Sequence, residues 1–218
     1  LGAVLKDLGK LQDAELSYRK AIEIKPDYAI AHSNLGGVLQ DLGKLKDAEI
    51  STRKAIELDP DFAEALSNLG NILIDLGKLK EAEISTRKAI ELNPDYAEAH
   101  SNLGSILREL GKLQDAELSY RKAIEIKPNY AEAHSNLGNI LKDIGKSQET
   151  FDSYLKSIEI NPKLSNVYPL ITRFLKDSDP SQLNKSKLKY MINLLLEKND
   201  ISHKDLIRPF KFLYSNEI

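Results

Sequence analysis

The chain has 218 residues, 29% of them charged, and a formal net charge of −2. That balance gives no strong electrostatic pull toward nucleic acid or anionic lipid, and the absence of cysteine removes disulfides and thiolate metal sites. No apolar run reaches the length of a transmembrane helix, and a cysteine-free chain fits a reducing cytoplasm.

The pattern along the chain is a repeat of 34 residues. Residues 29–62, 63–96, 97–130 and 131–164 align without gaps. Leu35-Gly36, Leu69-Gly70, Leu103-Gly104 and Leu137-Gly138 recur in register, followed by Gly43, Gly77, Gly111 and Gly145, and each unit closes on Pro60, Pro94, Pro128 or Pro162. Residues 1–28 fit a repeat that lacks its start, which makes four and a half to five units. The chain opens in mid-repeat without Met, and it is expected to be a piece of a longer one. A fixed period in this range predicts stacked supersecondary units that bury their apolar faces against one another.

Within 63–96, the spacing of Ala65, Leu66, Leu69, Ile72, Leu73 and Leu76 predicts one amphipathic helix, ended by Gly77 in a left-handed conformation. Leu79, Ala82, Ile84, Thr86, Ala89, Ile90 and Leu92 predict a second, which Pro94 stops. Asp95 with Glu98 has the spacing of a capping box, as do Asp61 with Glu64 and Asn129 with Glu132, whereas Asp27 is followed by Ile30. Gly70, Ala82 and Ala89 predict close helix approach. Glu15, Glu49, Glu83 and Glu117 lie four residues before Arg19, Arg53, Arg87 and Arg121, and Glu23, Glu57, Glu91 and Glu125 lie four after, so the Arg-Lys stripe of the second helices reads as a solvated face of i,i+4 pairs and not as a phosphate track.

Repeat five decays. Ser147, Thr150 and Ser157 replace a leucine and two alanines, and Phe151 and Leu155 replace the Glu and Arg of the charge ladder, so this face needs cover. Residues 165–218 leave the period. Helices are predicted over 167–176, over 182–198 and from a Ser202 cap with Asp205 in the capping-box position, where Pro209 delays or kinks the last one. This segment reads as a cap or a link to a further domain.

The Leu-Gly, Gly, Ala, Ala and Pro positions resemble the tetratricopeptide repeat family over residues 1–164. His32, Leu66, His100 and His134 stand at the family's first aromatic site, and Leu5, Leu39, Leu73, Leu107 and Leu141 at its Tyr site. The resemblance implies an all-α, right-handed superhelical solenoid of antiparallel helix pairs, and a scaffold that binds a peptide or protein in a concave groove lined by the first helices. Groove positions then form ladders: Asn34, Asn68, Asn102 and Asn136; Ser33, Ser67, Ser101 and Ser135; Ala3, Gly37, Asn71, Ser105 and Asn139; and Lys6, Gln40, Ile74, Arg108 and Lys142 beside an acidic row.

An amide offers donor and acceptor together. The asparagine ladder resembles that in the repeat domain of O-linked N-acetylglucosamine transferases, where asparagines at this position hold peptide backbone; asparagine here can equally brace the next repeat. Ile74 is either a ligand anchor or an ordinary apolar surface residue. The family's carboxylate clamp is not expected, since Ser and Asn occupy its Lys and Arg positions. His100 and His134 are a repeat apart, too far to share a metal, and His32 is further still. No phosphate loop, His-Glu metal motif or nucleophile elbow is present, so no catalytic residue, cofactor or metal is expected. Two other readings stand beside the scaffold. One is the substrate-recruiting arm of a larger glycosyl-, methyl- or sulfotransferase, an arrangement the resemblance associates with bacterial proteins. The other is self-assembly through the array ends or the apolar tail.

Overall fold

The computed structural model describes residues 1–198 and 202–214 and, among them, thirteen α-helices and no strand. They fall into two compact units, Leu1–Lys112 and Leu113–Ile218. The first contains α1 (Gly2–Asp7), α2 (Leu11–Ile24), α3 (Ala29–Asp41), α4 (Leu45–Leu58), α5 (Ala63–Asp75), α6 (Leu79–Leu92) and α7 (Ala97–Glu109). The second contains α8 (Leu113–Ile126), α9 (Ala131–Asp143), α10 (Ser147–Ile160), α11 (Val167–Asp177), α12 (Lys185–Leu196) and α13 (Ile207–Tyr214), with short 3-10 turns at Pro180–Gln182 and His203–Leu206.

Odd-numbered helices up to α11 are the first, or A, helices of the repeats, and even-numbered ones up to α10 the second, or B, helices. In the first unit α3 pairs with α4 and α5 with α6, and each A helix also touches the next A helix, α3 on α5 and α5 on α7. Each A helix of a full repeat ends as its sequence requires. Gly43 has φ +73°, its N–H donates to the Gln40 carbonyl at 2.8 Å, and Lys44 N–H donates to the Leu39 carbonyl at 2.8 Å. This is a Schellman closure, which an L side chain at Gly43 would strain.

The Leu-Gly glycines set the distance between paired helices. A methyl group on Gly70 would overlap the Thr86 hydroxyl, one on Gly36 the Thr52 hydroxyl, and one on Gly138 would lie 2.7 Å from the Tyr154 ring. Both threonine hydroxyls are buried without a hydrogen-bond partner.

The capping boxes are not formed. The N-caps are Phe62, Tyr96 and Tyr130, one residue after the expected acid or amide, and none makes a side-chain cap. The cause is the turn before each helix. Phe62 N–H closes back on the Asp59 carbonyl at 3.2 Å with Pro60 second in the turn, which leaves Asp61 third in the turn, its N–H on Asp59 Oδ1.

In the second unit Phe151 and Leu155 are buried in one core with Ile171 and Leu175 of α11 and Leu188 and Ile192 of α12, which is the cover their apolarity demands. The 34-residue register also extends one helix further than the sequence reading takes it. Tyr168, 34 residues after His134, donates its hydroxyl to the Pro162 carbonyl at 2.9 Å, just as His134 Nε2 pairs with the Pro128 carbonyl at 3.0 Å. The expected helix over 182–198 is shorter, since Gln182 lies in a 3-10 turn and Asn184 caps α12 by accepting from Lys187 N–H. Pro209 sits in the first turn of α13, where a missing N–H is harmless. The final four residues of the chain lie outside those described.

Candidate functional site

The A-helix face of the first unit is built by α3, α5 and α7. Asn34 is exposed there, and Asn68 and Asn102 are half-buried. The serine ladder does not face a groove. Ser33, Ser67, Ser101 and Ser135 are all buried. Their role in the first unit is structural: Asn68 Nδ2 donates to Ser33 Oγ at 3.2 Å, and Asn102 Nδ2 donates to Ser67 Oγ at 2.9 Å. Each asparagine thereby bridges to the preceding A helix, with its Oδ1 and second N–H left for the face.

Beside them Gly37, Asn71 and Ser105 are half-buried. At the C-terminal edge, Lys6 pairs with Asp41 at 3.0 Å, Gln40 Nε2 donates to Asp75 Oδ2 at 2.7 Å, and Arg108 pairs with its neighbour Glu109 at 2.7 Å. The first two of these contacts tie successive repeats together along this edge, and the third lies within α7. Ile74 interrupts the polar series and packs against the cluster of Leu69, Leu73 and Ile106.

In the second unit, Asn136 and Asn139 are half-buried and Lys142 is exposed. Asn139 Oδ1 accepts from the Tyr154 hydroxyl at 2.7 Å, and burial beside Asp143 pushes that phenol up to about 12. Lys142 lies 3.9 Å from Asp143.

The charge ladder of the B helices contains the expected pairs, Glu15–Arg19 and Glu49–Arg53 at 2.9 Å and Glu83–Arg87 at 2.8 Å in the first unit, and Glu117–Arg121 at 2.8 Å in the second. The expected pairs on the other side are not formed: Glu57 and Glu125 bind Lys54 and Lys122 at 2.8 Å in place of the arginine four residues before them, and no ion pair joins Glu23 to Arg19 or Glu91 to Arg87. The ladder also contains a set that the sequence reading missed. Lys44, Lys78 and Lys112 reach back to Glu15, Glu49 and Glu83 at 2.7, 2.7 and 3.0 Å, and in the second unit Lys146 reaches Glu117 at 2.8 Å. Each lysine directly follows a turn glycine, and that invariant place was the available signal.

All four carboxyls titrate below their ordinary range. The main cause at Glu15 and Glu49 is the hydrogen bond from Lys44 or Lys78, and at Glu83 that from Arg87 followed by Lys112. At Glu117 burial is the largest single influence and pushes upward, but Lys146 and Arg121 together outweigh it.

The histidines hold turns. His32 and His100 Nε2 lie 2.9 and 2.8 Å from the carbonyls of Pro26 and Pro94, which sets Nε2–H as the donor. Burial lowers the pKa of His134. Among the described residues no group of acids and histidines is arranged to hold a metal ion, and no helix is long and apolar enough to cross a membrane.

Models of the TPR repeat match residues 2–43 and 104–145, and models of the tetratricopeptide repeat match 29–62, 63–96, 86–117 and 131–164. No curated protein sequence matches the chain. Among solved structures, MamA is 28% identical, with 76% of this chain and 97% of that one covered and a TM-score of 0.61. YrrB, a TPR protein with an unusual peptide-binding site, is 25% identical over 76% of this chain and 86% of its own, at a TM-score of 0.56. PilF of Pseudomonas aeruginosa, at 22% identity, shares the fold over 99% of this chain and 94% of its own, with a TM-score of 0.74.

Proposed function

Because the chain belongs to the tetratricopeptide repeat family, we propose that it is a protein-interaction scaffold whose A-helix face holds an extended peptide or protein segment through backbone hydrogen bonds. One observation carries this reading. Asn68 and Asn102 are each fixed by a single hydrogen bond to a buried serine, and each keeps a carbonyl oxygen and an N–H for a ligand. Bracing and gripping are therefore two ends of one side chain. A fixed amide loses little rotamer freedom when it binds, which favours affinity.

The A helices pack about 10 Å apart, so neighbouring asparagines meet an extended chain about every three residues. Contacts of this kind read backbone and tolerate many sequences. Asn71 and Ile74, on the same helix as Asn68, supply side-chain preference along it. The peptide-binding site of YrrB, a similar repeat protein, supports the same class of ligand.

The test is selection of random displayed peptides on the chain, with the selected peptides then measured by fluorescence anisotropy. Affinity is expected to fall in the variant with Asn34, Asn68 and Asn102 changed to Ala, and also when the peptide backbone is N-methylated. Circular dichroism checks the fold, and Asn34→Ala with Asn71→Ala, which removes no brace, repeats the test without risk to it. Equal affinity of the original chain and both variants refutes the proposal.

A further inference from the structure

The B-helix face of the first unit carries a second pattern, one that peptide binding on the A helices leaves unused. Leu16, Ile50 and Ile84 occupy one repeat position on α2, α4 and α6 and are 54%, 68% and 71% exposed. A single exposed aliphatic residue is ordinary. Three in register, each beside an open crevice, make a patch.

Between α2 and α4 the crevice measures about 590 Å³, with Ile22, Leu35 and Leu39 in its wall and Ile50 at its edge. Between α4 and α6 it measures about 450 Å³, with Ile56, Leu66, Leu69 and Leu73 in its wall and Ile84 at its edge. Leu66 stands where His32 stands one repeat earlier, so the α4–α6 crevice is the more apolar.

We propose that this face binds a second copy of the chain, antiparallel and about a two-fold axis. Knobs and crevices alternate at a single period on one surface. An antiparallel copy, shifted to bring knobs over crevices, places its Ile50 in the α4–α6 crevice and its Ile84 in the α2–α4 crevice. The two-fold axis returns the same two contacts in the other direction, which is the condition for an isologous interface.

The charges agree with this pairing. Asp47, one helical turn before Ile50, is exposed and forms no ion pair in the first unit, and the same holds for Lys88 on the rim of the α4–α6 crevice. Seating Ile50 in that crevice brings Asp47 of one copy to Lys88 of the other. Arg53 on the same rim is already neutralised by Glu49 and Glu81, each at 2.9 Å, so it does not repel the approaching copy.

Sedimentation velocity over a concentration series tests this, with folding of each variant checked by circular dichroism. A concentration-dependent dimer is expected. It is lost in the Ile50→Glu/Ile84→Glu variant, weakened by Asp47→Lys, and restored when Asp47→Lys is combined with Lys88→Asp. The substituted side chains are exposed, so the folded monomer should tolerate them. A mass that stays monomeric up to about 1 mM, beyond which specific association is negligible, overturns the proposal. A dimer indifferent to Ile50→Glu/Ile84→Glu overturns it too, since another surface then makes the contact.

Discussion

Replacing Gly70 with Ala tests how the helix pairs are held together. The new methyl would overlap the Thr86 hydroxyl, while its next contacts, Thr86 Cβ at 3.5 Å and the Ala82 carbonyl at 3.6 Å, are ordinary. The clash is therefore confined to one buried oxygen. To accommodate the methyl, Thr86 must leave its rotamer or α5 and α6 must separate, and overpacking of this kind costs about 1–3 kcal/mol. Ala also gains about 1 kcal/mol over Gly in helix propensity, so the single variant shows only part of the strain.

The cleaner quantity is the coupling with Thr86→Ala, which removes the obstructing hydroxyl. In urea unfolding followed by circular dichroism, the double variant is expected to exceed the sum of the single ones by about 1–3 kcal/mol. Additivity within about 0.5 kcal/mol would show that the glycine does not set the helix separation. The same pair at Gly36 and Thr52 should be rescued less well, because the Gly36 methyl also meets the Ala48 carbonyl at 3.2 Å and Thr52 Cβ at 3.3 Å.

Three further outcomes are expected. Leu103→Ala, at a side chain only 6% exposed, should cost about 2–5 kcal/mol in urea unfolding, and a loss below about 1 kcal/mol would place it outside the core. The depressed carboxyls of Glu15, Glu49, Glu83 and Glu117 contribute stability that is complete above the unfolded value of 4.5 and is lost as pH falls through the lower folded values. The drop in Tm on acidification should thus be smaller in Glu49→Gln/Glu83→Gln than in the original, and equal drops would mean that these ion pairs do not matter. Tyr168→Phe removes the hydrogen bond to the Pro162 carbonyl and should lower stability by about 1 kcal/mol; an unchanged Cm would deny α11 its place in the repeat register.

Most of the architecture was legible in the residues because the determinants are local. A glycine seven residues after each Leu-Gly must be left-handed, and all of those turn glycines are. Prolines end the B helices, and the glutamates four residues before arginines meet them, whereas those four after do not. The N-caps were misplaced by one residue because the proline turn, not the acid after it, decides where the helix starts. The A-helix face was legible only in part. Serine and asparagine stand next to each other in sequence, and both look polar enough for a groove, yet a turn of about 100° per residue buries one and presents the other.

The sequence by itself determined the repeat, its helices and its turns, since each depends on side chains within a few residues of one another. The tertiary structure alone decided which ladders join repeats. Lys44 meets Glu15 across 29 positions and Asn68 meets Ser33 across 35, and such contacts exist only once one unit has stacked on the next. The same stacking left Ile84 in solvent and Ile72 in the core, although both are apolar positions of amphipathic helices. Burial depends on which neighbour a face receives, and that is a property of the stack.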